Sequence, residues 1–96
     1  MTYQLEVKVP AIKQAAQIYA YYERKLPGLG ERFIAALTVG YDALRSRPFY
    51  QVRKAPYRYL KLRKFPYRLI YEVHDNTVVI YQVRYTGRKS SRKFGT

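Results

Sequence analysis

The chain has 96 residues, a formal net charge of +13, twelve tyrosines, no cysteine and no tryptophan. A chain this short makes one domain around one core, so the expected organisation is a single domain over residues 1–96 with a basic tail from about residue 88. Its composition excludes disulfides and thiolate metal sites, and no run approaches the roughly 18 apolar residues of a membrane span. The N-terminus has neither the basic segment nor the apolar run of a signal peptide, which gives the expectation of a cytoplasmic protein. The charge is uneven: residues 1–50 carry seven basic and four acidic side chains, whereas residues 51–96 carry twelve and two. A positive field on the C-terminal half concentrates phosphate-bearing or acidic partners.

Tyr3 to Val9 alternates apolar and polar residues, the pattern of a half-buried strand. Pro10 ends it and suits the first turn of a helix. From Ala11 to about Leu26, Ile12, Ala15, Ala16, Tyr19, Tyr22 and Leu26 recur at three- and four-residue steps, predicting an amphipathic helix that Pro27-Gly28 breaks. A second helix is predicted from about Leu29 to Ser46. Glu31 lies in its first turn, Phe33, Leu37, Tyr41 and Leu44 form its stripe, and Arg45 lies near the end where the dipole favours cations. Gly40 inside it costs about 1 kcal/mol relative to alanine, so a close helix–helix approach is expected there. Pro48 stops the helix.

Three strands are predicted next, about Tyr57 to Lys64, Tyr67 to His74 and Thr77 to Tyr85. Phe65-Pro66 and Asp75-Asn76 mark the reversals, the latter because Asp and Asn tolerate positive φ. The fold class is α+β, a βααβββ domain in which an antiparallel sheet packs against an N-terminal helical hairpin. The sequence does not place the first strand in the sheet.

Alternate strand residues face opposite sides. That parity puts Leu60, Leu62, Leu69, Tyr71, Val73, Val79, Tyr81 and Val83 under the helices. The other face then carries Tyr59, Lys61, Arg63, Arg68, Ile70, Glu72, Gln82 and Arg84, with Arg88 just beyond. A solvated face ordinarily mixes signs, and here Glu72 alone opposes five cations, so this face is the expected working surface. Tyr59 and Tyr85 lie near the cations and are candidates to stack on bases. Arg63 and Arg84, and Lys89, Arg92 and Lys93 in the tail, are candidate substrate contacts; the tail reads equally as a solubilising segment.

The segment Ile18-Tyr19-Ala20-Tyr21-Tyr22-Glu23, the turn Leu26-Pro27-Gly28-Leu29-Gly30-Glu31-Arg32-Phe33, the hairpin Arg63-Lys64-Phe65-Pro66-Tyr67-Arg68-Leu69-Ile70-Tyr71 and the closing Val83-Arg84-Tyr85-Thr86-Gly87-Arg88 resemble the RelE/ParE superfamily of type II toxin–antitoxin toxins over nearly the whole chain. The resemblance implies one of two activities: RelE-like members cleave messenger RNA in the ribosomal A site, and ParE-like members poison DNA gyrase. On the RelE side it implies that Lys61, Arg68 and Arg88 are catalytic. Tyr59 stands where that pattern has a second lysine, and Phe94 where it has a tyrosine. The long helical hairpin looks more like the ParE side.

Attack of a ribose 2′-hydroxyl on its phosphate needs a base, cations for the growing charge and an acid for the leaving oxygen. His74, the only histidine, is expected to be an exposed turn residue, which leaves Lys61 as base and the arginine forks as phosphate clamp. Six scattered acids suit no hard cation, so a metal-independent endoribonuclease without cofactor is the first expectation. A gyrase poison without catalysis is the second, and a plain RNA-binding module the third. The expected partners are an acidic cognate antitoxin that folds on binding and either the ribosome with its mRNA or DNA gyrase.

Overall fold

In a computed structural model, which describes residues 2–49, 52–54 and 56–87, the chain runs β1 (Gln4–Val7), α1 (Val9–Lys25), α2 (Leu29–Ser46), β2 (Val52–Lys54), β3 (Tyr57–Lys61), β4 (Tyr67–His74) and β5 (Thr77–Tyr85). Pro10 lies in the first turn of α1, where its missing N–H leaves no bond unmade. Gly28, at φ 92°, caps α2 in the left-handed region that favours glycine. The side-chain cap of α2 comes from the other helix: the Glu23 carboxylate accepts the N–H groups of Gly28 and Gly30, each at 2.9 Å. That places a negative charge on the positive end of the α2 dipole. The two helices pack tightly at Gly30, where a Cβ would stand 2.8 Å from the Tyr19 carbonyl oxygen. Gly40 serves a different approach from the expected one, because its absent Cβ would meet Leu62 at 3.0 Å and Leu69 at 3.3 Å. It lets α2 settle onto the sheet.

The sheet has the order β1-β5-β4-β3-β2. β5, β4, β3 and β2 pair antiparallel, the expected meander extended by β2, a short bulged edge strand. The predicted pattern missed β2 because three residues are too few for an alternation to show. β1 joins β5 in parallel, from Gln4 opposite Thr77 to Val7 opposite Ile80, so the whole sheet is mixed. Beyond the end of β1, Gln14 of α1 takes over its role, its Oε1 accepting the Val83 N–H at 2.7 Å.

Phe33, Leu44, Leu69, Tyr71, Val78 and Ile80 are fully buried between hairpin and sheet. Phe33 and Phe65 meet edge to face at 5.6 Å, and Tyr22 and Phe65 at 5.2 Å, which pins the β3–β4 turn to both helices. The Tyr71 hydroxyl donates to the buried Pro48 carbonyl at 2.7 Å. One parity expectation is corrected here. Ile70 pairs with Gln82 and Tyr71 with Ile80, leaving Tyr81 as the extra residue of a bulge. A bulge shifts side-chain parity by one, so Val78, Ile80 and Val83 enter the core while Val79 and Tyr81 turn to the open face. Val78-Val79-Ile80-Tyr81 is apolar throughout, and such a run hides its own parity. No helix among the described residues is long and apolar enough to cross a membrane.

Candidate nucleic-acid interface

Register places the principal cations. Lys61 of β3 stands opposite Arg68 of β4, and Arg68 opposite Arg84 of β5. With strands about 4.8 Å apart, the three form a row roughly 10 Å long across the open face. Like charges directly opposite one another destabilise a sheet. Among the described residues no carboxylate forms an ion pair with any of the three. The Arg68 guanidinium lies 5.3 Å from the centroid of the Tyr59 ring, in a cation–π arrangement. Beside this pair Ile70, Arg84, Tyr85, Thr86 and Gly87 close an open groove of about 340 Å³. Its floor is firm: Ile70 is only 8% exposed, and the Thr86 N–H donates to the Pro66 carbonyl at 2.7 Å. Two arginine forks and aromatic faces in one groove suit a nucleic-acid phosphate with its neighbouring sugar or base.

The structure thus brings Tyr59, Lys61, Arg68, Arg84 and Tyr85 together at one end of the sheet. Arg63 is not with them. It lies in the β3–β4 turn beside Lys64, Phe65 and Arg32, along a groove of about 740 Å³ on the flank of α2. Its strand ends at Lys61, so the alternation that assigned Arg63 to the open face no longer applies. Arg88, Lys89, Arg92, Lys93 and Phe94 lie outside the described residues. Two groove residues, Thr86 and Gly87, were not singled out as site residues in the sequence. A Cβ on Gly87 would clash with the hydroxyl edge of the Tyr85 ring, so glycine at this position leaves room for that ring.

The far end of the open face is built differently. Glu72 Oε1 accepts from the Tyr81 hydroxyl at 2.7 Å and from His74 Nε2 at 2.8 Å. These bonds, the Tyr81 one first, hold the Glu72 carboxyl below its ordinary value. The same carboxylate, with partial burial, pushes the Tyr81 phenol up to about 12. His74 is as exposed as expected, at 59% of its side chain, while Glu72 is 14% exposed. Among the described residues no cluster of His, Asp and Glu could hold a metal ion.

A two-helix hairpin laid on a mixed sheet, with a row of cations that no carboxylate pairs with among the described residues, makes this a small α+β domain with one charged sheet face. Residues 5–89 match the family described as the ParE toxin of type II toxin–antitoxin system parDE, and the chain belongs to that family. Its fold is similar to that of a chain in the chromosomal ParDE toxin–antitoxin system of P. aeruginosa, with a TM-score of 0.79 at 14% identity over 90% of this chain and 98% of that one. A chain of the RelBE2 toxin–antitoxin complex of Mycobacterium tuberculosis gives a TM-score of 0.57 at 22% identity, covering 88% and 99%. A variant of the E. coli RelE toxin in the free state gives 0.58 at 20% identity, covering 97% and 93%. No curated protein sequence matches the chain significantly.

Proposed function

We propose that this toxin acts on DNA gyrase, holding DNA phosphates on the Lys61–Arg68–Arg84 row, and that an acidic antitoxin of the ParD kind neutralises it. The observation that carries the reading is the seating of Arg68 on Tyr59. At the position where an RNA-cleaving member would carry a second lysine, this chain has an aromatic ring that holds the arginine. A clamp for phosphate suits an inhibitor that grips DNA and transfers no proton. The family match supports the same side of the superfamily. The antitoxin's acidity follows from the +13 charge it must screen, and the similar RelBE2 structure is itself a toxin–antitoxin complex.

One observation favours the second reading, a ribosome-dependent mRNA endonuclease: Lys61 and Arg68, catalytic by the RelE resemblance, are direct register partners. A single induced culture separates the two. Gyrase poisoning yields linear plasmid after detergent and protease, with transcript 5′ ends unchanged. New transcript 5′ ends beside intact plasmid would overturn the gyrase reading and establish the second.

A further inference from the structure

On the helix side of the sheet, around the end of β5 from the cation groove, lies a cavity of about 370 Å³ walled by Gln17, Tyr21, Tyr22, Pro66, Tyr67 and Tyr85. Tyr85 lines both this cavity and the cation groove, so the two form one surface that wraps the sheet's end. The rings are mutually supported: Tyr67 and Tyr85 lie 5.6 Å apart, Tyr22 and Tyr67 6.3 Å, and Tyr21 and Tyr22 5.2 Å. Tyr22 and Tyr67 pack against the core, but Tyr85 is 61% and Tyr21 45% exposed. Among the described residues both rings keep part of their surface open to solvent. The Lys25 ammonium stands 5.2 Å over the Tyr21 ring, adding a cation to the rim.

Aromatic faces with an amide side chain at the edge match a nucleobase, which offers a π-face for stacking and a polar edge for hydrogen bonds. A paired base is held inside its stack and cannot enter such a cavity without being extruded. We propose that the tyrosine cavity holds the base of an unpaired nucleotide whose phosphate rests on Arg68 and Arg84. Tyr85 is the stacking wall and Gln17 the group that reads the base edge. The inference rests on the phosphate-binding reading of the cation row and adds to it a preference for single-stranded nucleic acid.

The test is fluorescence anisotropy on the full chain with five labelled probes: a 12-mer of thymidine, the same 12-mer made abasic throughout, a 12-mer of uridine, a hairpin duplex with the same number of phosphates, and an acidic peptide carrying one phenylalanine. The thymidine strand is expected to bind at least tenfold tighter than the abasic one and tighter than the duplex, in line with stacking energies at such sites. Tyr85→Ala removes most of that advantage and leaves the salt slope unchanged; Tyr21→Ala removes part of it, so the result does not rest on one variant. The ratio of thymidine to uridine affinity tells DNA from RNA as the source. Equal, salt-sensitive binding of thymidine and abasic strands overturns the base cavity and leaves the cation row standing. Absence of salt-sensitive binding to any nucleic-acid probe overturns the row and the cavity together. If the acidic peptide loses more affinity than the oligonucleotide on Tyr85→Ala, the cavity belongs to a protein partner and the proposal fails.

Discussion

The two ends of the open sheet face share strands β4 and β5 and differ in charge. At one end Lys61, Arg68 and Arg84 stand side by side with no carboxylate paired to them among the described residues. At the other end Glu72 gathers Tyr81 and His74, next to a cavity lined by Glu6, Lys8 and Asp75. Glu6, Glu72 and Asp75 are three of the chain's six acids. Arg68 and Glu72 share β4 four residues apart, roughly 13 Å along the strand, which exceeds the screening length of about 8 Å at physiological salt. Glu72 therefore closes local hydrogen bonds, Glu6 pairs with Lys8, and neither pairs with the cation row. A face selected for stability alone would interleave the signs; this one gathers hydrogen bonds at one end and like charges at the other.

Neutralising the charged end breaks the comparison most directly. Arg68→Gln with Arg84→Gln should abolish growth inhibition, weaken single-strand oligonucleotide binding by about 100-fold or more, and make the log–log salt slope shallower by roughly 1.4, or 0.7 per lost cation. Growth assays and anisotropy across a salt series read both, and undiminished toxicity from the folded double variant would remove the row from the site. The hydrogen-bonded end should respond in stability and not in binding. Tyr81→Phe deletes a bond to a carboxylate at 2.7 Å and should cost about 1 kcal/mol, a fall of roughly 4–8 °C in Tm for a domain of this size. Toxicity should be preserved; its loss would mean that the two ends work as one site.

A smaller effect carries the opposite sign. Because Arg68 and Arg84 face each other, Arg84→Gln alone should raise stability by a few tenths of a kcal/mol at low salt while lowering affinity. The gain should vanish in 1 M salt, where charges interact over only about 3 Å. Thermal melts at the two ionic strengths test this, and a loss of stability would show that Arg84 contributes packing that outweighs the repulsion.

Much of this contrast was legible in the residues. Pro10, Pro27-Gly28 and Pro48 bracket both helices, and the α2 bounds Leu29–Ser46 match the predicted ones, because chain-breaking chemistry is local. The pairing of Lys61 with Arg68 was not legible: a strand running to Lys64 and reversing at Phe65-Pro66 would set Arg63 opposite Arg68, whereas β3 ends at Lys61 and the connection runs through residues 62–66. What else stayed hidden depends on contacts between distant segments. The Tyr81 bulge moved the phenol that anchors the Glu72 network to the open face, and nothing in an unbroken apolar run marks where a strand slips. The parallel docking of β1 beside Thr77–Ile80 requires knowing where the hairpin carries the chain. Tyr21 fell outside every apolar stripe, and its value as a cavity wall appears only once Tyr85 is brought against the aromatic cluster from across the sequence.

The acid limb of stability offers the finest test of the hydrogen-bonded end. Glu72 has a folded pKa lowered from about 4.5, chiefly by the Tyr81 bond and next by the His74 bond. A depressed carboxyl contributes stability that is fully present above its unfolded pKa and is lost as pH falls through the folded one, so the loss begins near pH 4.5 and continues below it. Replacing Tyr81 by phenylalanine should flatten that limb most. His74→Gln should flatten it less and should cost no more than a few tenths of a kcal/mol at neutral pH, because the imidazole is largely in solvent. Denaturant melts from pH 6 to pH 3 on the wild type and both variants read the order. A larger effect from His74 than from Tyr81 would mean that the exposed imidazole, and not the phenol brought round by the bulge, is what holds Glu72 ionised.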